Sequence, residues 1–206
     1  MGLFSRIFPK KELTIEPVDL SFLRNDIHSH LIFDVDDGSK SIEDSIELIR
    51  SLYNFGYKKL ITTPHIMSDF YKNSKDNLFP KRDLIREELV KQNIDIEFEC
   101  AAEYYLDEFL VQKLKSNEEL LCFGSKKYVL FETSFMNSPN QIFEVIFDLL
   151  SNGYQPILAH PERYIYLHDS FEKYLEFFCI TQYTQIMAST FQKAEKSTIS
   201  GASKWE

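Results

Sequence analysis

Cysteine is scarce in this chain. Only Cys100, Cys122 and Cys179 are present among 206 residues, an odd number without CxxC spacing, which argues against a disulfide framework or a cysteine zinc site and fits a reducing cytoplasm. Long apolar runs are also missing. No stretch is long enough to span a bilayer, residues 1–8 are too short an apolar segment for a signal peptide before Pro9, Lys10 and Lys11, and Arg6 stands where a myristoylation signal needs Ser or Thr. Positive charge is in deficit: 23 Lys and Arg face 32 Asp and Glu, a net charge of -9, which disfavours nonspecific nucleic-acid binding. What is present, 44% hydrophobic residues, is enough for one sizeable core. A single domain is expected over residues 23–177, between a leader at 1–22 and an atypical Ser/Thr/Lys-rich tail at 178–206.

Histidine is rare as well, but its placement is informative. His28 and His30 form an HxH pair in Asp26-Ile27-His28-Ser29-His30, His65 closes Thr62-Thr63-Pro64-His65, and His160 follows Pro156-Ile157-Leu158-Ala159. Glu103 follows the strand-like run 94–102, and Glu132 ends Tyr128-Val129-Leu130-Phe131. Five strand-like segments therefore deliver His or Glu at the same end. In a barrel of parallel strands those ends open on one face, where such folds build their sites.

Helical periodicity fills the intervals. Ile42, Ile46, Ile49 and Phe55 sit near helical spacing between a capping Ser41 and a terminating Gly56, and further helices are expected over 76–92, 106–115 and 140–151. Strand then helix, repeated, predicts a parallel α/β sheet or barrel. A helix is expected over 169–177, and residues 178–187 read as a candidate strand.

Two imidazoles one residue apart on an extended strand project to the same side and can chelate one ion. Imidazole suits Zn, Mn or Fe, and the carboxylates Glu103 and Glu132 shift the preference toward a harder divalent ion such as Mn. The bland alternative treats an isolated HxH as a surface or core pair and the glutamates as exposed strand-end acids. His65 and His160 beside prolines at strand ends weigh against it. The loop Asp34-Val35-Asp36-Asp37-Gly38-Ser39 concentrates negative charge, so at least one of Asp36 and Asp37 is expected to hold a cation, with Asp34 a solvated turn residue. Arg163, in His160-Pro161-Glu162-Arg163-Tyr164, is suited to clamp phosphate oxygens bidentately, and a salt bridge to an acid is its alternative role. Tyr71, Tyr104 and Tyr164 are candidates for the mouth of the site, and His168 reads as structural. The inventory points to metal-assisted phosphoester hydrolysis, and no Ser-His-Asp order, Cys-x5-Arg loop, Walker motif or GxGxxG fingerprint competes with it.

Asp-Ile-His-Ser-His at 26–30, Asp-Val-Asp-Asp-Gly-Ser at 34–39, Thr-Thr-Pro-His at 62–65, Ala-Ala-Glu at 101–103 and Ala-His-Pro-Glu-Arg-Tyr at 159–164 resemble the bacterial tyrosine-protein phosphatases of the polymerase-and-histidinol-phosphatase superfamily. The resemblance spans roughly residues 24–175. It implies a distorted TIM-like (βα)7-type barrel of parallel strands, a cluster of divalent metals usually assigned as manganese, and a cytoplasmic enzyme that dephosphorylates a tyrosine kinase regulating capsule or exopolysaccharide synthesis. It further implies that His28, His30 and Glu103 hold one metal, that Glu103 bridges to a second held by Glu132 and His160, that Asp37 rather than Asp36 joins His65 on a third, and that Arg163 binds the substrate phosphate. Other hydrolases of the superfamily, of histidinol-phosphatase type, or a homologue that only binds metal or phosphoprotein are the competing readings.

The likeness ends before the chain does. Family members close the site with an Asp-x-His motif that completes the first and third metals, and no such motif follows His160. The barrel is accordingly expected to be incomplete at its C-terminal side, through truncation or frameshift, leaving an open sheet edge and apolar faces. A second subunit that supplies the absent ligands is an alternative.

Overall fold

The computed structural model describes residues 21–168 together with Glu172, Leu175, Thr184 and Gln185. The expected leader (apart from residues 21 and 22), nearly all of the expected helix at 169–177 and most of the tail lie outside the described residues. Among the described residues eight parallel strands carry the fold: β1 (Asn25–Asp26), β2 (Lys59–Thr62), β3 (His65–Ile66), β4 (Glu97–Cys100), β5 (Glu103–Tyr105), β6 (Tyr128–Glu132), β7 (Gln155–Ala159) and β8 (Thr184–Gln185). They form two sheets, β1-β2-β4 and β3-β5-β6-β7-β8. Among the described residues five helices accompany them: α1 (Ile42–Asn54), α2 (Lys75–Lys91), α3 (Glu108–Lys115), α4 (Ile142–Ser151) and the short α5 (Ile165–His168).

The two sheets are one wall with a break. Thr62 pairs with Cys100 before the break and His65 with Glu103 after it, so the register does not slip. Ala101 N–H donates to Thr62 O at 2.9 Å across the gap. Pro64 has no N–H to give the ladder, and the two-residue interruption turns Glu103 and His65 into the first residues of the second sheet. Strands then follow in sequence order to β8, with every pairing parallel, as in an arc of a barrel. Among the described residues, β1 and β8 are edges that do not pair with each other.

Strand alternation divides the side chains into layers. Val129, Phe131 and Leu158 point outward into a core shared with Leu110, Leu114, Val145, Ile146 and Leu149 of α3 and α4. Leu60 and Phe98 face Ile46 and Ile49 of α1 and Leu78, Ile85 and Leu89 of α2. Ile61, Ala101, Leu130, Ile157 and Ala159 point the other way and make a separate inner cluster. Glu132, two residues after Leu130, therefore stands on that same inner face.

The helix expectations hold closely. Ser41 caps α1 by accepting from Asp44 N–H, and Gly56, at φ 102, ends that segment. α4 is apolar on both sides: Ile146 is fully buried, whereas Phe147 is 68% exposed. Ile146→Ala is expected to destabilise by about 2–5 kcal/mol through lost burial and a residual cavity, and Phe147→Ala to stay within about 0.5 kcal/mol. Urea unfolding of both variants checks the contrast.

Candidate metal centre

The HxH segment departs from the expected strand, because the β1 ladder stops at Asp26. Hydrogen bonds to the next strand hold it instead. The Ser29 carbonyl accepts from Thr63 N–H and from the Thr62 hydroxyl, both at 2.7 Å, and Thr62 Oγ1 accepts from Leu31 N–H at 2.9 Å. With its middle residue clamped, the segment turns both flanking imidazoles inward, centroids 5.5 Å apart. Both rings thus lie on one side, as alternation along an extended segment expects, with hydrogen bonds to Thr62 and Thr63 holding the segment beyond the β1 ladder.

Glu103 is the point on which the site converges. Its carboxylate is fully buried. Oε2 lies 3.4 Å from His28 Nε2, 3.4 Å from His30 Nε2 and 3.2 Å from His65 Nδ1, yet no hydrogen bond satisfies it. Oε1 makes a direct contact of 2.8 Å with His160 Nε2. Two ligands of one cation, each about 2.0–2.2 Å from it, stand about 3.0–3.5 Å apart. The spacing around Oε2 matches that pattern, and the imidazole and carboxylate donors suit a divalent metal. The residues present therefore fit the metal cluster that the resemblance implies.

The other expected residues gather at the same place. His65 Nδ1 is 3.1 Å from Glu132 Oε1, and its Nε2 is 3.6 Å from Asp37 Oδ1. His160 Nε2 is 3.7 Å from Glu132 Oε2. Three overlapping groups can each surround an ion: His28, His30 and Glu103; His30, Asp37 and His65; and His65, Glu103 and Glu132. His65 thus stands with the two glutamates as well as with Asp37. His160 follows β7 in a left-handed conformation, φ 31, that begins a tight 3-10 turn over Pro161–Arg163. Arg163 is on the exposed rim, its guanidinium 4.4 Å above the Phe135 ring, whose edge also meets His160.

Asp36 has a role the sequence did not disclose. Its Oδ2 accepts from His30 Nδ1 at 2.7 Å and from His65 N–H at 3.0 Å, while Oδ1 accepts from Gly38 N–H at 2.9 Å. One buried carboxylate therefore orients one imidazole and fixes the backbone of another. Gly38 makes this possible, because a Cβ there would fall 2.3 Å from His30 O. The available signal was an acid two residues before a glycine close after the HxH. Of the three tyrosines, only Tyr71 is at the mouth, its ring parallel to that of His65 at 5.5 Å. Tyr104 and Tyr164 are buried, and their hydroxyls accept from Leu121 N–H and Thr133 N–H.

Burial would push the His30 ring below its ordinary 6.5, but its hydrogen bond to Asp36 and the nearby Glu103 carboxylate prevail and hold it at about 10. Burial likewise opposes ionisation of Glu103, and the surrounding His160, His28 and His30 overcome it, keeping the carboxyl far below the usual range. Asp36 is lowered too, burial being outweighed by His30 and the backbone donors. A protonated His30 balances the buried Glu103 charge, and a metal taken up in its place would release that proton.

Fold and site together define a parallel α/β scaffold of polymerase-and-histidinol-phosphatase type carrying a candidate multi-metal centre. The chain belongs to the CpsB/CapC capsular polysaccharide synthesis family, whose model matches residues 24–201. It is 31% identical over 168 residues to the tyrosine-protein phosphatase CpsB of Streptococcus agalactiae, covering 82% of this chain and 69% of that protein. It is 33% identical over 138 residues to the tyrosine-protein phosphatase YwqE of Bacillus subtilis, covering 67% of this chain and 54% of that protein. Among solved structures it resembles those of YwqE from B. subtilis and CpsB from Streptococcus pneumoniae, described as metal-dependent tyrosine phosphatases, with a TM-score of 0.70 and 29% identity over 79% of this chain and 65% of the other. The chain thus spans roughly two thirds of the length of these relatives or less.

Two outcomes follow from the Asp36 geometry. Asp36→Asn is expected to weaken manganese retention by about 10–100-fold, measured by calorimetric titration, since a carboxylate that orients a ligand imidazole commonly matters to that extent. In chelator, the His30 contribution to stability is full below 6.5 and is lost as pH rises toward about 10. The Asp36 contribution is present above 3.8 and is lost as pH falls below it. Melting temperature of the metal-free chain should therefore decline from neutral pH toward pH 10, and Asp36→Asn should flatten that decline.

Proposed function

We propose that this chain is a metal-dependent protein-tyrosine phosphatase whose substrate is a phosphotyrosine-bearing protein, a tyrosine kinase that controls capsule or exopolysaccharide synthesis. The observation that carries the reading is the buried Glu103 carboxylate, ringed by four imidazoles and standing beside Glu132. In this reading His28, His30, Asp37, His65, Glu103, Glu132 and His160 hold divalent ions, manganese being the assignment. When bound, such ions polarise phosphoryl oxygens and lower the pKa of water. The remaining steps belong to the chain itself. Arg163, already at the rim, takes phosphate oxygens through its planar fork. Asp36 keeps the His30 ring turned so that Nε2 faces the nest. Tyr71 walls one side of the opening. Three features support the reading: the kinship to enzymes named tyrosine-protein phosphatases, the match to structures described as metal-dependent tyrosine phosphatases, and the donor set itself.

The same reading places the protein in the cytoplasm. No helix among the described residues is long and apolar enough to cross a membrane. Cys100 and Cys122 are free thiols.

The test is phosphate release from a phosphotyrosine peptide by the purified chain in manganese, with metal content measured on the same sample. Turnover is expected, abolished by chelator and lowered about 100-fold in kcat/KM by Arg163→Ala, the scale of losing one preorganised donor to transition-state charge. Preference for a small phosphomonoester would assign a histidinol-phosphatase-like activity instead. Peptide binding by a folded, metal-loaded chain without turnover would make it a binding protein.

A further inference from the structure

Immediately after His65 the chain makes a tight turn. Met67 and Tyr71 exchange two backbone hydrogen bonds, at 2.9 and 3.0 Å, leaving Phe70 at the tip, 76% exposed. The turn is anchored at its base. Ser68 N–H donates to Asp107 Oδ2 at 2.9 Å, while Oδ1 of the same carboxylate caps α3 by accepting from Leu110 N–H at 3.1 Å. Asp107 thus ties the turn to α3 and sets the distance between them.

Between the two lies a cavity of about 280 Å³, lined by Met67, Ser68, Tyr71, Lys72, Asn73, Ser74 and Phe109. Its volume is at the lower limit for drug-sized ligands and suits a single side chain. Tyr71 is the wall it shares with the metal nest, through the parallel stack on His65. Phe109 is 37% exposed and is held in place by Lys113 Nζ, 4.7 Å above its ring. Lys72 stands exposed at the mouth and favours a partner carrying negative charge.

Resting on the phosphatase reading, we propose that this cavity is a substrate subsite: it receives an apolar side chain lying one or two residues from the phosphotyrosine in an acidic segment of the substrate protein. An extended peptide advances at most about 3.3–3.6 Å per residue. Two residues thus span up to about 7 Å, comparable with the 5.5 Å between the His65 and Tyr71 rings that separate the nest from the cavity. Met67, Tyr71 and Phe109 would determine which sequences are preferred, and the nest would remain indifferent to them.

The experiment uses fluorescein-labelled acidic peptides in which a non-hydrolysable phosphonate replaces the tyrosine phosphate, titrated with the full chain in manganese and read by anisotropy. The parent carries Ser and Glu around the phosphonate. Four others each place one Leu at a position within two residues of it. At least one Leu peptide should bind about tenfold more tightly than the parent, a factor in keeping with burial of an aliphatic side chain. Phe109→Ser should remove that advantage, and Met67→Ser, on the opposite wall, provides an independent variant. Far-ultraviolet circular dichroism and manganese stoichiometry equal to those of the unaltered chain establish that each variant is folded. Equal affinities for all five peptides would overturn the proposal, as would an advantage that persists in both folded variants. Phosphate release from the matching phosphotyrosine parent is measured alongside. A retained Leu advantage without release would uphold the subsite while refuting the phosphatase reading.

Discussion

A carboxylate with no exposure to water must have its charge answered, and the answer organises the whole upper part of this molecule. Glu103 is fully buried, and isolated ionised groups are too costly to bury unpaired. Four imidazoles from separate parts of the chain close around it, contributed by the segment after β1, by the start of β3 and by the turn after β7. Each element that supplies one is held by contacts of its own: Ser29 by Thr62 and Thr63, His65 by Asp36, His160 by the turn over Pro161–Arg163. The arrangement is preorganised by hydrogen bonds that do not involve any ion.

The break in the parallel wall creates room for this cluster. An uninterrupted strand from Lys59 to Ile66 would run as a single ladder beside its neighbour. The Thr63-Pro64 and Ala101-Ala102 interruptions keep the register while setting His65 and Glu103 at the head of a second sheet. Beneath them the inner apolar layer of Ile61, Leu130 and Ile157 closes the interior. Polar chemistry is thereby confined to one side.

Much of this was legible in the sequence because short, strongly marked signals coincided. Ser41 and Gly56 bracket α1, proline stands beside His65 and His160, and His65, Glu103, Glu132 and His160 each end an apolar run or begin a strand. Legibility stopped where three-dimensional contact decides the role. Nothing in the local pattern distinguishes Tyr71 at the mouth from Tyr104 and Tyr164 in the core, because burial of an aromatic depends on what packs over it. Nor could the local pattern reveal that Asp36 turns inward to His30 and His65 while its neighbour Asp37 remains largely in solvent. A one-residue step in a turn reverses the direction of a side chain, and the partners lie six and twenty-nine residues away. The HxH segment is an intermediate case: the shared side of its two rings follows from alternation, while the Thr62 side chain that helps hold it in place had no local signal.

Side chains in the nest belong to more than one ligand group. Glu103 and His65 each face two sets of partners, and His30 faces two as well. Positions built from common side chains cannot fill independently: an ion that orders a shared residue alters the free energy of the next ion to arrive, and by linkage the second alters the first to the same extent. On the proposed reading, occupancy of this centre would therefore be a collective property, with a loading curve whose shape carries the coupling energy between sites.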